Sequence, residues 1–167
     1  MTATEQYVNL LERLKPGELS LLREHAGRSL DDSLAAFDLF SGLWWPLRER
    51  NERAPRRGVA WVVSKLYAST PLENKPGRRF AWQLARCRED VDLEKDPVVK
   101  RFDRILTLPL SQIESALHWG LERISSHNLS LDWAKLTDDL SIWERESTRL
   151  RWAEEFLKPF KEDGNAH

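Results

Sequence analysis

Cysteine, glycine and proline are scarce in this chain of 167 residues. The single cysteine, Cys87, excludes an intramolecular disulfide and any zinc finger built on cysteines, and such scarcity is typical of a reducing compartment. The 7 glycines and 8 prolines are too few for the frequent turns of an all-β fold. No apolar run reaches the ~20 residues of a membrane-spanning helix. We therefore expect a soluble, cytoplasmic, helical protein that does not bind a membrane.

Motifs of catalytic chemistry are absent as well. The sequence has no glycine-rich phosphate-binding or dinucleotide-binding motif, no nucleophile elbow and no HExxH zinc motif. His118 and His127 are nine residues apart, which does not place two metal ligands on one helical face. The acidic pair Asp138 and Asp139 is interpreted as part of a solvated helix face. We expect no enzymatic activity, no metal and no cofactor.

Charge is distributed unevenly, although the formal net charge is only −1. Residues 48–88 carry 11 basic and 3 acidic side chains, whereas residues 1–47 carry 4 and 7, and residues 89–167 carry 11 and 17. Nine of the 11 basic residues in the middle segment are arginines, whose planar guanidinium binds phosphate bidentately. The pattern indicates either a surface that faces a polyanion or a basic face neutralised by neighbouring carboxylates.

Apolar residues at helical spacing predict a series of short helices in the first half of the chain. The third of these helices has an inward stripe formed by Leu30, Leu34, Phe37, Phe40 and Trp44. Three tryptophans lie off the inward stripes and are candidate contacts with a partner, namely Trp45, Trp61 and Trp82. Cys87 shares a stripe with Phe80 and Leu84, which favours a buried structural thiol over a reactive one.

The second half contains four amphipathic segments joined by short linkers, after an acidic connector at residues 89–96. Trp133, Trp143 and Trp152 lie on the apolar stripes of these segments and are predicted to pack in the core. The sequence thus predicts an all-α fold of two helical subdomains. Residues 1–88 form the N-terminal subdomain, which contains the basic segment 48–88, and residues 89–167 form an antiparallel four-helix bundle.

Specific motifs in the second half resemble a known family. The pattern LDWxxLxxDLxxW runs from Leu131 to Trp143, and RWAxxF follows from Arg151 to Phe156. Together they resemble the small subunit of type I-E CRISPR Cascade, the CasB family. Upstream, Lys100-Arg101-Phe102 and Pro55-Arg56-Arg57 resemble two basic elements of that family. The sequence Arg79-Phe80-Ala81 departs from the Ser-Phe-Gly usual in the family.

The resemblance implies a small, all-helical subunit without catalytic activity. It implies that two copies lie head to tail between the backbone subunits, which carry the crRNA, and the large subunit of Cascade. The nucleic-acid partners implied are the crRNA, the target DNA and the displaced strand. Such a subunit stabilises the R-loop, in which guide pairing with the target replaces a DNA duplex of nearly equal stability.

Candidate nucleic-acid contacts come from two sources. The resemblance indicates Arg56, Arg57, Lys100, Arg101 and Arg145, and the charge pattern adds Arg78, Arg79, Arg86 and Arg104. Each could instead be a surface residue paired with a carboxylate, contributing less than about 1 kcal/mol. Two other functions stay open: a helical adaptor whose arginines dock an acidic protein, and an enzyme that uses His118 or the acidic pair Asp138 and Asp139.

Overall fold

The computed structural model describes the backbone of residues 1–165 and the side chains of residues 1–159. Within that range the fold is all-α, as predicted, and its only β-type pairing is an isolated bridge between Asn74 and Leu131. No helix in this part of the chain is long and apolar enough to cross a bilayer. The α-helices are α1 (Ala3–Glu12), α2 (Pro16–Glu24), α3 (Leu34–Arg50), α4 (Arg57–Ser69), α5 (Phe80–Ala85), α6 (Pro97–Thr107), α7 (Glu114–Ser126), α8 (Trp133–Ser141) and α9 (Glu146–Asn165). Short 3-10 helices span Leu30–Asp32 and Leu110–Gln112.

The chain forms two compact units, Met1–Pro71 and Leu72–His167. The division falls after Pro71, whereas the sequence analysis placed a subdomain boundary after residue 88. The difference arises because α5 packs against α9 and α7. In addition, the indole N–H of Trp133 donates to the carbonyl of Leu72 at 2.9 Å. These contacts, made with residues far along the chain, attach residues 72–88 to the second unit.

The first unit contains α1 to α4 around a core that includes Tyr7, Phe40 and Leu66. Two predicted inward residues of α3 are instead exposed, Leu34 by 83% and Phe37 by 40%. The other three predicted residues, Leu30, Phe40 and Trp44, are buried as expected. Because α3 starts at Leu34, after the 3-10 turn, Leu34 and Phe37 fall outside its inward stripe. That stripe consists of Ala36, Phe40, Trp44 and Leu47.

Trp61 corrects a second expectation, because its side chain is buried within the first unit. Its indole N–H donates to the carbonyl of Arg28 at 2.9 Å, and the ammonium of Lys65 donates to the same oxygen at 2.6 Å. The role of Trp61 is therefore packing. Trp45, by contrast, is 53% exposed on α3, and Trp82 is half-buried.

The second unit is built around the three tryptophans that the sequence placed in the core, and all three are at most 1% exposed. The rings of Trp143 and Trp152 meet edge to face, with centroids 4.8 Å apart. Phe102 on α6 and Phe156 on α9 stack with centroids 4.1 Å apart. The four segments predicted in the second half correspond to α6, α7, α8 and α9, and α5 joins them.

Cys87 is buried directly after α5, as predicted for a structural thiol. Burial raises the pKa of the thiol to about 11, although the positive charges of Arg123 and Arg86 oppose the shift. The Sγ atom lies 3.3 Å from the carbonyl oxygen of Gln83. A thiol in this environment is protonated at neutral pH and is a poor nucleophile.

Candidate nucleic-acid interface

Arg56 and Arg57 lie where α4 begins, in the first unit. Both side chains are exposed to solvent. The first turn of α4 contains no acidic residue. The two guanidinium groups therefore add to the positive end of the helix dipole, an arrangement that attracts an anion.

The turn that leads into α4 is held in place from α3. The indole N–H of Trp44 donates to the carbonyl of Pro55 at 2.7 Å. The guanidinium of Arg48 donates to the carbonyls of Glu52 at 2.7 Å and Ala54 at 2.8 Å. Two helical side chains thereby satisfy three loop carbonyls, which orders the backbone that presents the arginine pair.

A second basic group lies on α6, where the side chains of Lys100, Arg101 and Arg104 are all exposed. Arg104 lies one helical turn from Lys100 (i, i+4) and from Arg101 (i, i+3), so the three cations share one side of α6. Within the described residues 1–159, none of the three forms an ion pair with a carboxylate. The opposite side of α6 is buried through Val98, Phe102 and Ile105.

A groove of about 620 Å³ runs between α6 and α7 beside these cations. Arg101 and Arg104 contribute to its lining from α6, and Trp119 contributes from α7. Polar side chains from Gln112, Ser115, His118 and Glu122 complete much of the wall. His118 and Glu122 pair with each other, Nε2 to Oε1, at 3.0 Å.

Trp119 lies close to two guanidinium groups. The guanidinium carbon of Arg101 lies 5.0 Å from the indole centroid, and that of Arg123 lies 5.3 Å from it. Arg123 is also paired with Glu89, Nη1 to Oε1, at 2.8 Å. Sequence reasoning missed both Trp119 and Arg123. Their i, i+4 spacing on α7 was the one signal that could have connected them.

Arg79 differs from the other candidates because it takes part in an internal ion-pair network. Its guanidinium bonds to the carboxylate of Glu155, which is only 4% exposed. The Nε atom of Arg151 lies 3.6 Å from the same carboxylate. Arg79 therefore joins the start of α5 to α9. The sequence offered no hint of this pairing, because the two residues are 76 positions apart.

Asp139 belongs to the same network and corrects the interpretation of the acidic pair. It is 3% exposed, whereas its neighbour Asp138 is exposed to solvent. Its carboxylate accepts a hydrogen bond from the guanidinium of Arg151 and another, at 2.8 Å, from the indole N–H of Trp152. Asp139 thus fixes α8 against α9. In residues 1–159, no group of three or more potential ligands could hold a metal ion.

Arg78 occupies a turn that is bonded to the start of α8. The amide of Gly77, a residue with φ of +83°, donates to the carboxylate of Asp132 at 2.8 Å. The amide of Asp132 donates in return to the carbonyl of Arg78 at 2.7 Å. Asp132 also caps α8 by accepting from the amide of Lys135 at 2.9 Å. The backbone of Arg78 is therefore rigid while its side chain is exposed.

The two remaining candidates are exposed at helix ends of the second unit. Arg86 follows α5 and lies 3.4 Å from the side-chain oxygen of Gln83. Arg145 lies in the short connection between α8 and α9, where its amide donates to the carbonyl of Ile142 at 3.0 Å. Of the nine candidates, the structure brings Lys100, Arg101 and Arg104 together on α6, and Arg56 and Arg57 together at α4.

Comparisons with known proteins converge on one family. The sequence matches the family model of CRISPR-associated protein Cse2 over residues 18–157. The crystal structure of M. ruber CasB aligns with a TM-score of 0.75 at 20% identity, covering 99% of this chain and 98% of that one. A Cse2-family protein from Thermus thermophilus gives a TM-score of 0.73 at 22% identity, with 94% and 99% coverage. CasB from Thermobifida fusca gives 0.69 at 15% identity, with 92% and 94% coverage. No curated protein matches the sequence.

Proposed function

Because the chain belongs to the Cse2 (CasB) family of CRISPR-associated proteins, we propose that it is the non-catalytic small subunit of a type I-E Cascade complex in antiviral defence. In this role it binds the crRNA, the target DNA and the displaced strand. Its task is to stabilise the R-loop after the guide has paired. R-loop formation exchanges one duplex for another of similar stability, so a few backbone contacts are enough to favour it.

The observation that carries the proposal is the exposed cationic group of Lys100, Arg101 and Arg104 on α6. These side chains have no carboxylate partner among the described residues, so phosphate binding does not first require an internal ion pair to break. Each cation placed on a phosphate releases a condensed counterion. The contribution is independent of base sequence and falls with salt, which suits a subunit that leaves sequence recognition to the guide.

Arg56, Arg57, Arg78, Arg86 and Arg145 are proposed as further phosphate contacts, since all five side chains are exposed. We assign Arg79 a role in stabilising the fold, because its guanidinium is bound to the buried carboxylate of Glu155. The proposed interface is therefore narrower than the charge pattern alone predicts.

The protein partners proposed are the backbone and large subunits of Cascade and a second copy of this chain arranged head to tail. A subunit with net charge −1 and localised basic groups binds free nucleic acid weakly. Its affinity for the R-loop therefore depends on the high effective concentration of the nucleic acid within the assembled complex.

A helical protein adaptor is the second candidate function. The outer side of α3 favours it, since Leu34, Phe37 and Trp45 are 83%, 40% and 53% exposed. Helical spacing places these three residues on one face, where a protein surface could cover them. An adaptor whose arginines bind an acidic protein would release no counterions from a nucleic acid.

The test is the salt dependence of binding to single-stranded DNA and to an R-loop, measured with the full chain and with the assembled complex. Replacing Lys100, Arg101 and Arg104 together by alanine should reduce the slope of log affinity against log salt by about 2 for a single strand. Lys158→Ala removes another exposed cation of the second unit and should leave the slope unchanged. A slope near zero for the unaltered protein would favour the adaptor.

A further inference from the structure

Trp119 has an environment that phosphate binding alone does not explain. Its indole is half-buried in the groove between α6 and α7, close to Arg101, and Arg104 lines the same groove. A groove of about 620 Å³ lies within the range of about 300 to 1,000 Å³ typical of small-ligand sites. An aromatic ring beside arginines in a groove is the arrangement on which unpaired bases stack.

The two cations at the indole are held differently. Arg123 forms a 2.8 Å ion pair with Glu89, so its guanidinium already has a carboxylate partner while it lies against Trp119. Arg101 is exposed, and within residues 1–159 no carboxylate binds it. Its guanidinium can therefore leave the ring and turn to a phosphate without breaking an ion pair.

We infer that the groove between α6 and α7 binds one unstacked nucleotide, whose base stacks on Trp119 and whose phosphate is bound by Arg101 and Arg104. The inference rests on the proposed function, because it specifies what part of a single strand the groove accepts. Arg101 exchanges its contact with the indole for a contact with phosphate, and the base takes the ring surface that Arg101 leaves.

The polar wall of the groove can accommodate any of the bases. Gln112 offers an amide and Ser115 a hydroxyl, and each of these groups can both donate and accept a hydrogen bond. Stacking itself is tolerant of sequence, since every base has an aromatic face. The site therefore adds affinity for unpaired strand without adding base specificity, and a paired, stacked duplex cannot use it.

The test compares two single-stranded DNA oligonucleotides of equal length and charge, one complete and one made of abasic nucleotides, binding to the full chain at fixed salt. Stacking at Trp119 predicts that the complete strand binds about 5- to 150-fold more tightly. Trp119→Leu should abolish this difference, Trp119→Phe should keep part of it, and Trp45→Leu, at the exposed tryptophan of α3, should leave it intact.

The outcomes separate this inference from the proposed function. Equal affinity of the unaltered protein for both strands, with the salt dependence preserved, would overturn base stacking and leave phosphate binding in place. This comparison needs no variant, so it holds even if Trp119→Leu fails to fold. Absence of salt-dependent binding to either strand, both by the full chain and by the assembled complex, would overturn both proposals.

Discussion

The α-carbon of Gly120 lies directly against the ring of Phe80. A methyl group added at Gly120 would come within 2.6 Å of the Cζ atom and 3.0 Å of the Cε2 atom of Phe80. The ring cannot easily move, because Phe80 is buried and lies against Trp152 with centroids 5.2 Å apart. Only glycine at this position of α7 lets α5 pack as closely as it does.

Gly120→Ala should therefore destabilise the fold by about 1 to 3 kcal/mol through overpacking. Gly42→Ala is the matched control, since nothing lies within 4 Å of a methyl group there. In the interior of α3 it should stabilise by about 0.5 to 1 kcal/mol. Chemical denaturation measures both changes, and a Gly120→Ala variant as stable as the parent would contradict the packing described.

Arg78 and Arg79 are adjacent in sequence and should separate binding from stability. Arg79→Ala leaves the buried carboxylate of Glu155 with a weaker partner and should cost about 1 to 3 kcal/mol of unfolding free energy. Arg78→Ala removes an exposed side chain and should change that free energy by less than about 0.5 kcal/mol.

In binding, the expectation is reversed. Arg78→Ala should lower the affinity of the assembled complex for the R-loop, whereas Arg79→Ala should have little effect on affinity in protein that remains folded. Denaturation and R-loop lifetime measure the two properties. If the Arg79→Ala variant were as stable as the parent and released the R-loop faster, Arg79 would have to be assigned to the nucleic-acid interface.

Asp96 should make the stability of the second unit sensitive to acid. Burial by itself would raise the pKa of this carboxyl, but hydrogen bonds from the backbone amides of Asp90, Val98 and Glu89 outweigh burial and lower it. A group whose folded-state pKa is lowered stabilises the fold above its unfolded-state pKa of about 4. That contribution disappears as the pH falls through the lower, folded-state value.

Asp96→Asn should accordingly cost about 1 to 3 kcal/mol near neutral pH, because the carboxylate oxygen that accepts from the backbone amides of Glu89 and Asp90 is replaced by an amide nitrogen, which cannot accept. The difference from the parent should shrink as the pH falls below about 4. Asp103→Asn, at an exposed carboxylate on the same helix, should show neither effect. Thermal or chemical unfolding from acidic to neutral pH provides the measurement, and a pH-independent difference would argue against the carboxylate as its cause.

Cys87 should be protected from thiol reagents while the chain is folded. With a pKa of about 11, only about one thiol in a thousand is ionised at pH 8, and burial blocks access as well. Labelling by a chromogenic disulfide at pH 8 should therefore be slow and should accelerate in step with unfolding by denaturant. Because Cys87 is the only cysteine in the sequence, the Cys87→Ala variant measures the background reaction of the reagent. Rapid labelling of the native protein would contradict the burial.

Much of the architecture could be predicted because helical periodicity is a local property of the sequence. The apolar stripes placed Trp133, Trp143 and Trp152 in the core, and Asp132 caps α8 as its position before Trp133 suggests. The prediction of the inward stripe of α3 was less accurate, since the 3-10 turn before Leu34 changes which residues face inward. A shift in where a helix starts is decided by packing of the preceding turn, which periodicity does not include.

The candidate site could be predicted only in part. The family resemblance indicated Lys100 and Arg101, the charge pattern added Arg104, and α6 does present the three together. Charge counting could not distinguish Arg79, which is bound internally, from Arg78, which is exposed. The sequence analysis also overlooked Trp119. An aromatic residue beside an apolar stripe looks the same in the sequence whether or not it lines a groove, and this groove forms only when α6 and α7 pack side by side.

By itself the sequence determined the helical class, the tryptophan core and the motifs that identify the family, all of which depend on spacing between near neighbours along the chain. Only the tertiary structure decided which arginines remain available, where the two units divide and which tryptophan lines a groove. The physical reason is distance along the chain. Arg79 meets Glu155 across 76 positions and Trp133 meets Leu72 across 61, and such pairings follow from the packing of whole helices.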